Sequence, residues 1–338
     1  MGRNRRVEAR ADDRTIGGND HRTNRHFTGA KRFASLIEGA VHVEGVATHD
    51  RVVSGSIGGL LPNIPEDTNM TQALDKLVAL LGMEMLEENL FRGRSQDLGF
   101  PQLFGGQVLG QALSAASQTV DPVRQVHSLH GYFLRPGDAK RPVVYQVDRV
   151  RDGGSFTTRR ISAIQNGKTI FFCSASFHGA EDGFHHQPTM PGLTLPEALI
   201  DSGTQVERYE GHPIEFLHFP DESDAMPRKR LWFRLAGELP DDSALNRYLL
   251  AYSSDFNLLT TSLVPHGIVF GDPKLQIASL DHAIWFHRDV RVNDWLLYDM
   301  DSPWAGGARG FARGSIYDRQ GYLVASSAQE GLTRQRTQ

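Results

Sequence analysis

Two stretches of this chain repeat one another at a fixed distance. Val144-Tyr145-Gln146-Val147-Asp148, followed by Gly153-Gly154 and Arg160, is echoed by Leu297-Tyr298-Asp299-Met300-Asp301, followed by Gly306-Gly307 and Arg313, every feature displaced by 153 positions. A constant displacement shared by a strand-like run, a glycine pair and a charged residue marks an internal duplication. Whatever unit the first copy forms, the second must form again. The continuation recurs too, 163–176 against 316–330, with the turn glycines Gly167 and Gly321 offset by one further residue. At 338 residues the chain has room for two cores, because a single core stops growing well below that size.

Each copy reads as one helix followed by long strands. Asn69 and Gln72 have capping-box spacing, and Leu74, Leu77, Val78 and Leu81 share a face, so a helix is predicted to start at Asn69 and to end at Gly82. A strand is expected through Leu90. Phe104-Gly105-Gly106-Gln107-Val108-Leu109-Gly110-Gln111-Ala112-Leu113 keeps helical spacing through Ala116, and its small residues suit close packing on a sheet. β-formers then fill 126–134, 142–149, 155–165 and 169–177, punctuated by Asp152-Gly153-Gly154 and Asn166-Gly167. The Pro- and Gly-bearing stretch after residue 179 reads as a linker. The second copy should open with strands at 213–219 and 230–235 and a helix near 254–263, then repeat the strand meander.

The predicted organisation is a flexible N-terminal extension (1–69), a first domain (70–180), a linker (181–211) and a second domain (212–338). The class is α+β, each copy an antiparallel sheet around a helix, with the copies side by side so that exposed sheet edges are covered.

Composition removes several function classes. With 39% apolar and 22% charged residues the chain is of the packed globular type. A net charge of −4 gives no concentrated basic surface for general nucleic-acid binding, and Glu8, Asp12, Asp13 and Asp20 interrupt the early arginines. Cys173 is the one cysteine, so neither an intramolecular disulfide nor a CxxC zinc cage can form; between Phe172 and Ser174 it reads as a small buried hydrophobe. His127, His130, His282 and His287 alternate along strands instead of forming a helical metal pair. No apolar run approaches the roughly 20 residues of a spanning helix, and Arg336-Thr337-Gln338 is no peroxisomal address. The expectation is a cytoplasmic protein with no metal, no cofactor and no membrane span.

Five motifs in order, Phe104-Gly105-Gly106-Gln107, Phe133-Leu134-Arg135-Pro136-Gly137-Asp138, Ala163-Ile164-Gln165-Asn166-Gly167-Lys168, Asp281-His282-Ala283-Ile284-Trp285-Phe286-His287 and Gln329-Glu330-Gly331, resemble the acyl-CoA thioesterase II family, from Met70 to about Arg336. The resemblance implies a tandem (double) hotdog fold, a fatty acyl-CoA substrate and a homodimer or larger assembly. It also implies three site residues from the second copy: Asp255 in the hotdog helix, Ser279 on the strand after it, and Gln329 near the end of the last strand. Where the family pattern has Thr, this chain has Ser279, which keeps the oxygen and loses the methyl that stiffens χ1.

These groups suit thioester hydrolysis. A carboxylate takes a proton from water while an amide and a hydroxyl fix that water's orientation, and no covalent intermediate is required. Backbone N–H groups at a helix start are ready donors for the oxyanion; Gly105 and Gly106, or the turn before Asp255, could supply them. Taken singly the residues have plainer readings: Asp255 after Ser-Ser as a helix N-cap, Ser279 and Gln329 as satisfied polar groups. An apolar tunnel between the copies is expected to take the acyl chain, with Arg135, Arg309 and Arg313 as candidates for the CoA phosphates. Two other functions fit the same fold: an enoyl-CoA hydratase, which needs a His near the Asp, and an acyl-CoA binding protein without catalysis.

Overall fold

The computed structural model describes residues 66–100, 102–209, 211–219 and 227–336. Helix α1 (Glu66–Leu81) buries Leu74, Leu77 and Leu81, the face read from their spacing. It already runs through Asn69, so that residue is not its start; the rest of the predicted extension, 1–65, lies outside the described residues. A hairpin of β1 (Glu84–Glu87) and β2 (Leu90–Gly93) turns through left-handed Asn89. Then come α2 (Gly105–Ser117) and four strands, β3 (Gln125–Phe133), β4 (Val143–Asp152), β5 (Phe156–Gln165) and β6 (Lys168–His178). Burial alternates as a half-buried sheet requires: Cys173, Ala175 and Phe177 of β6 face the core. Asn166 and Gly167 both take positive φ, 50° and 69°, the mirror-image turn that matches strand twist.

The stretch 181–211 carries structure of its own, contrary to its reading as a bare linker. Helix α3 (Pro196–Asp201) lays Leu199 into a cluster with Leu217, Trp232, Trp295, Leu297 and Tyr317. Since Leu296, Tyr298 and Met300 belong to the main core, this cluster covers the opposite face of the second copy's strands. Strand β7 (Glu207–Arg208) then pairs with β8 (Ile214–His218).

The second copy continues with β9 (Arg228–Leu235), α4 (Ser243–Ser253), a 3-10 segment (Leu259–His266), β10 (Leu275–Ser279), β11 (Asp281–Phe286), β12 (Leu296–Gly306), β13 (Arg309–Tyr317) and β14 (Leu323–Gln335). The helix predicted near 254–263 is therefore misplaced. Its true start is set by Asp242, whose side chain accepts from Ala244 N and Leu245 N at 2.9 and 3.0 Å. The apolar spacing further on belongs to the 3-10 segment, and Pro265 within it bars an α-helix.

The copies join edge to edge in one sheet of order β1-β2-β4-β5-β6-β3-β11-β14-β13-β12-β9-β8-β7, with β10 pairing β14. The junction is β3 against β11, antiparallel from Asp281 opposite Tyr132 to Trp285 opposite Ser128. This sheet wraps the two helices, the tandem hotdog. Cross-strand register carries the duplication beyond the motifs: His130 stands opposite Ser174 as Ala283 stands opposite Ala328, and Arg159 opposite Ala175 as Ala312 opposite Gln329.

Inside the sheet α2 and α4 run antiparallel, Gly106 lying against Tyr252 and Gly110 against Tyr248. Gly106 and Gly110 thus serve helix-on-helix contact between the copies, beside the contact with the sheet that was expected. A methyl at Gly106 would lie 2.2 Å from Tyr252 O, a backbone atom that cannot turn aside. Gly106→Ala should destabilise the fold by about 1–3 kcal/mol in urea unfolding. Unchanged or increased stability, as helix propensity alone would give, contradicts this packing.

Candidate active site

The antiparallel helix pair brings the end of α4 to the start of α2. Ser254 closes α4, and Asp255 follows it, so Asp255 sits beyond the helix and not within it. Its side chain is 6% exposed. Helix α2 starts after Phe104, which has no side-chain cap; instead Asp255 Oδ2 accepts from Gly106 N at 2.8 Å. The plain reading of Asp255 as an N-cap is thus half right, because it caps the helix of the other copy. Gly105 makes room: a methyl there would lie 2.7 Å from Oδ2.

Ser279 at the end of β10 and Gln329 on β14 come to the same point. Gln329 Nε2 donates to Asp255 Oδ1 at 2.8 Å and to Ser279 Oγ at 3.0 Å. Both amide hydrogens are thereby engaged. Its Oε1 is buried with no hydrogen-bond partner among the described residues. The structure corrects one expectation here: the Gly106 N–H is occupied by Asp255 and is no open oxyanion donor.

Burial sets the electrostatics. It raises the Asp255 carboxyl above its usual range, while the bonds from Gln329 and Gly106 pull it back. Bonds to a charged group contribute roughly 1.5–3 kcal/mol each, against a desolvation cost of several kcal/mol per ion, so burial prevails. His282, 0% exposed, faces Asp255 with Nδ1 3.7 Å from Oδ1. Its other nitrogen, Nε2, meets Ser254 Oγ at 3.0 Å. Burial lowers its pKa to about 3, so the ring is neutral. Sequence reasoning set His282 aside as a metal ligand in favour of a structural or substrate-lining role without placing it beside Asp255, and it missed Ser254 and Tyr298, whose hydroxyl donates to Ser254 O at 3.0 Å. The signal was present in Asp281-His282, one of the five motifs.

The remaining predicted residues lie apart. His127 and His287 bond Ser176 and Ser326, and His130 packs edge-on against Trp285. Arg313 grips Asp301, Arg309 lies 3.6 Å from Glu330, and Arg135 donates to Thr169 O. At the Asp255 end the space between the copies is filled by rings: Phe104 packs on Phe256 and Tyr252 with centroids 4.4 and 5.1 Å apart, and Phe100 links it to half-exposed Phe270. A cleft of about 500 Å³, lined by Ser117, Gln118, Val126, Ser243 and Tyr248, lies instead at the other end of the helix pair.

That other end is the duplicate of the site, stripped of its polar groups. Register places Val126 where the second copy has Ser279, Leu129 where it has His282 and Ala175 where it has Gln329. Arg159, 1% exposed and bonded to Thr119 Oγ1 and O, fills the space beside Ala175. Among the described residues the carboxylate–amide–hydroxyl set thus occurs at one end of the helix pair, built from both copies.

A double hotdog with one buried carboxylate–amide–hydroxyl centre is the class that fold and site define. Residues 209–332 match the family model described as acyl-CoA thioesterase, and 93–178 the acyl-CoA thioesterase N-terminal domain. Over 283 residues the chain is 40% identical to acyl-CoA thioesterase 2 of Haemophilus influenzae, covering 78% of this chain and 99% of that protein. It is 38% identical over 289 residues to acyl-coenzyme A thioesterase 8 of Homo sapiens, with coverage of 78% and 90%. A solved acyl-CoA thioesterase II from Mycobacterium marinum matches with TM-score 0.68 and 43% identity, over 77% of this chain and 99% of that one. The chain belongs to the acyl-CoA thioesterase II family, a class of thioester hydrolases.

A carboxyl whose folded pKa exceeds its unfolded value of 3.8 loses stability as pH rises between the two values, and the deficit persists at pH 7. Asp255→Asn removes that deficit and can still accept from Gly106. Its melting temperature at pH 7 should therefore rise by a few degrees; a fall would show that ionised Asp255 stabilises the fold.

Proposed function

We propose that this chain hydrolyses the thioester of medium- to long-chain fatty acyl-CoA to free fatty acid and CoA, by direct attack of a water activated by Asp255, Ser279 and Gln329. The observation that carries the reading is the single amide nitrogen of Gln329, which holds Asp255 Oδ1 and Ser279 Oγ within 3.0 Å of itself. Two oxygens so placed can share one solvent molecule.

The hydrogen-bond pattern supports a part for each group. Asp255 accepts one hydrogen of the water and then its proton as the oxygen attacks the thioester carbon. Ser279 accepts from Gln329, which leaves its own O–H free to donate to a water lone pair, so the other lone pair points at the carbonyl carbon. Gln329 is the positioner of both. Gly105 N–H, at the start of α2, is the donor assigned to the oxyanion, where the helix terminus favours negative charge. The acyl chain follows the aromatic path from Phe270 through Phe100 to Phe104 and Phe256, rings that must shift to admit it. A homodimer or larger assembly belongs to the same proposal and rests on the family resemblance; location in the cytoplasm belongs to it too, as the default for a chain with one cysteine. Among the described residues no helix is long and apolar enough to cross a membrane.

A hydratase gains one observation, the His beside the Asp. Both ring nitrogens of His282 are nonetheless turned inward, one to Ser254 and one to Asp255, so neither is presented to a substrate.

Thiol release from decanoyl-CoA and palmitoyl-CoA tests the reading. Asp255→Asn should lower kcat about 10²–10⁴-fold, the range of a lost general base, and Ser279→Ala should also lower it while Ser279→Thr stays active. An unchanged rate in Asp255→Asn removes the carboxylate from the mechanism; hydration of enoyl-CoA without thiol release moves the chain to the rival class. In the wild type kcat/KM should fall with decreasing pH around a midpoint above 3.8, because burial raises the carboxyl and its protonated form cannot take the water's proton. A midpoint at or below 3.8 contradicts the assignment.

A further inference from the structure

We propose that His282 is a positioning residue of this site, its unprotonated Nδ1 receiving the hydrogen bond of the proton that Asp255 takes from water. This rests on the reading of Asp255 as the base and adds a partner for the acid that base becomes.

The tautomer follows from the neighbours. Ser254 Oγ donates to Ala251 O at 2.9 Å, closing the last turn of α4, and a hydroxyl has one hydrogen. The 3.0 Å contact between Ser254 Oγ and His282 Nε2 therefore has the ring as donor. With its proton at Nε2, His282 presents a bare lone pair at Nδ1, buried and without a hydrogen-bond partner among the described residues. That lone pair faces Asp255 Oδ1 at 3.7 Å. Two acceptors keep their distance while Asp255 is ionised; once Oδ1 carries a proton the pair becomes donor and acceptor and can close. A buried acceptor left unpaired costs about 1–3 kcal/mol, so the gap is relieved only in the protonated state.

The duplication argues that the fold does not ask for this polarity. The equivalent of His282 in the first copy is Leu129, also fully buried, on the equivalent strand and in the equivalent register. His282 is polar only where Ser279 and Gln329 are polar, and all three have apolar counterparts at the silent end. The other titratable groups facing Asp255 are Tyr252 on α4 and Tyr298 on β12, both held neutral by burial.

The sequence of bonds balances. An O–H bond of water breaks as its oxygen bonds the thioester carbon, and the proton passes to Asp255 Oδ1, where it points at His282 Nδ1. Collapse of the oxyanion breaks the C–S bond, and the proton leaves Asp255 for the thiolate sulfur. His282 keeps its own proton on Nε2 throughout.

Thiol release from decanoyl-CoA as a function of pH tests the inference on the full chain. His282→Leu, the residue the first copy uses, should lower kcat about 10–100-fold with KM unchanged. It should also move the acidic midpoint of kcat/KM to lower pH, since the neutral acid loses its acceptor. His282→Asn, which keeps an acceptor near the Nδ1 position, should return the midpoint toward wild type. Ser254→Ala frees the ring to hold its proton at Nδ1 and should shift the midpoint down as well, a reading that survives if the leucine variant folds poorly. Wild-type kcat in His282→Leu, or a lower kcat with an unmoved midpoint in both His282→Leu and Ser254→Ala, overturns the inference. Asp255→Asn runs beside them: if it abolishes hydrolysis while His282→Leu keeps the wild-type kcat and midpoint, this inference alone falls, and if it leaves hydrolysis intact, the base assignment falls with it.

Discussion

The bond from Gly106 N–H to Asp255 Oδ2 joins the two halves of the molecule at its most demanding point. Phe104 cannot cap α2, and a carboxylate cannot be buried beyond α4 without donors; each lack is met by the other copy. The contact exists because the helices run antiparallel at glycine separation, so the end of one reaches the start of the other. A side chain at Gly106 or Gly105 would disturb both the helix packing and the carboxylate. Fold and site are therefore one constraint, and Gln329 completes it by holding the second carboxylate oxygen.

Duplication gives two helix-end junctions and the sequence equips one. At the Asp255 end stand Ser279, His282 and Gln329; at the other, Val126, Leu129 and Ala175, with Arg159 in space that Ala312 leaves free beside Gln329. The exchange is one of volume as well as polarity: a large side chain beside a small one in each copy, with the strands reversed. A buried guanidinium tied to Thr119 and Asp152 fills that second junction, and the open cleft there carries none of the three proposed catalytic groups.

Much of this was legible in the residues. The fixed displacement foretold two copies, and alternation with Asn-Gly chemistry placed β3 to β6 within three residues of their observed bounds. The second helix was misread because Leu258 to Leu263 have helical spacing, while Asp242, the actual cap, lay outside the window considered. Asp255, Ser279 and Gln329 were named through the family resemblance, since nothing local separates a buried catalytic Asp from an N-cap. What escaped, the cross-copy cap and the bare Nδ1 of His282, depends on a backbone N–H and a side chain 149 positions apart, and on two side chains 27 positions apart, meeting in space. No periodicity encodes such a meeting.

The account stands on one end of the helix pair being the working end. A crystal structure with a non-cleavable thioether analogue of decanoyl-CoA tests this most directly. The account predicts the analogue's reacting carbon beside Asp255, with a solvent molecule within hydrogen-bond distance of Asp255 and Ser279. An analogue seated instead in the cleft between Ser117 and Tyr248, with Asp255 remote from it, would contradict the account.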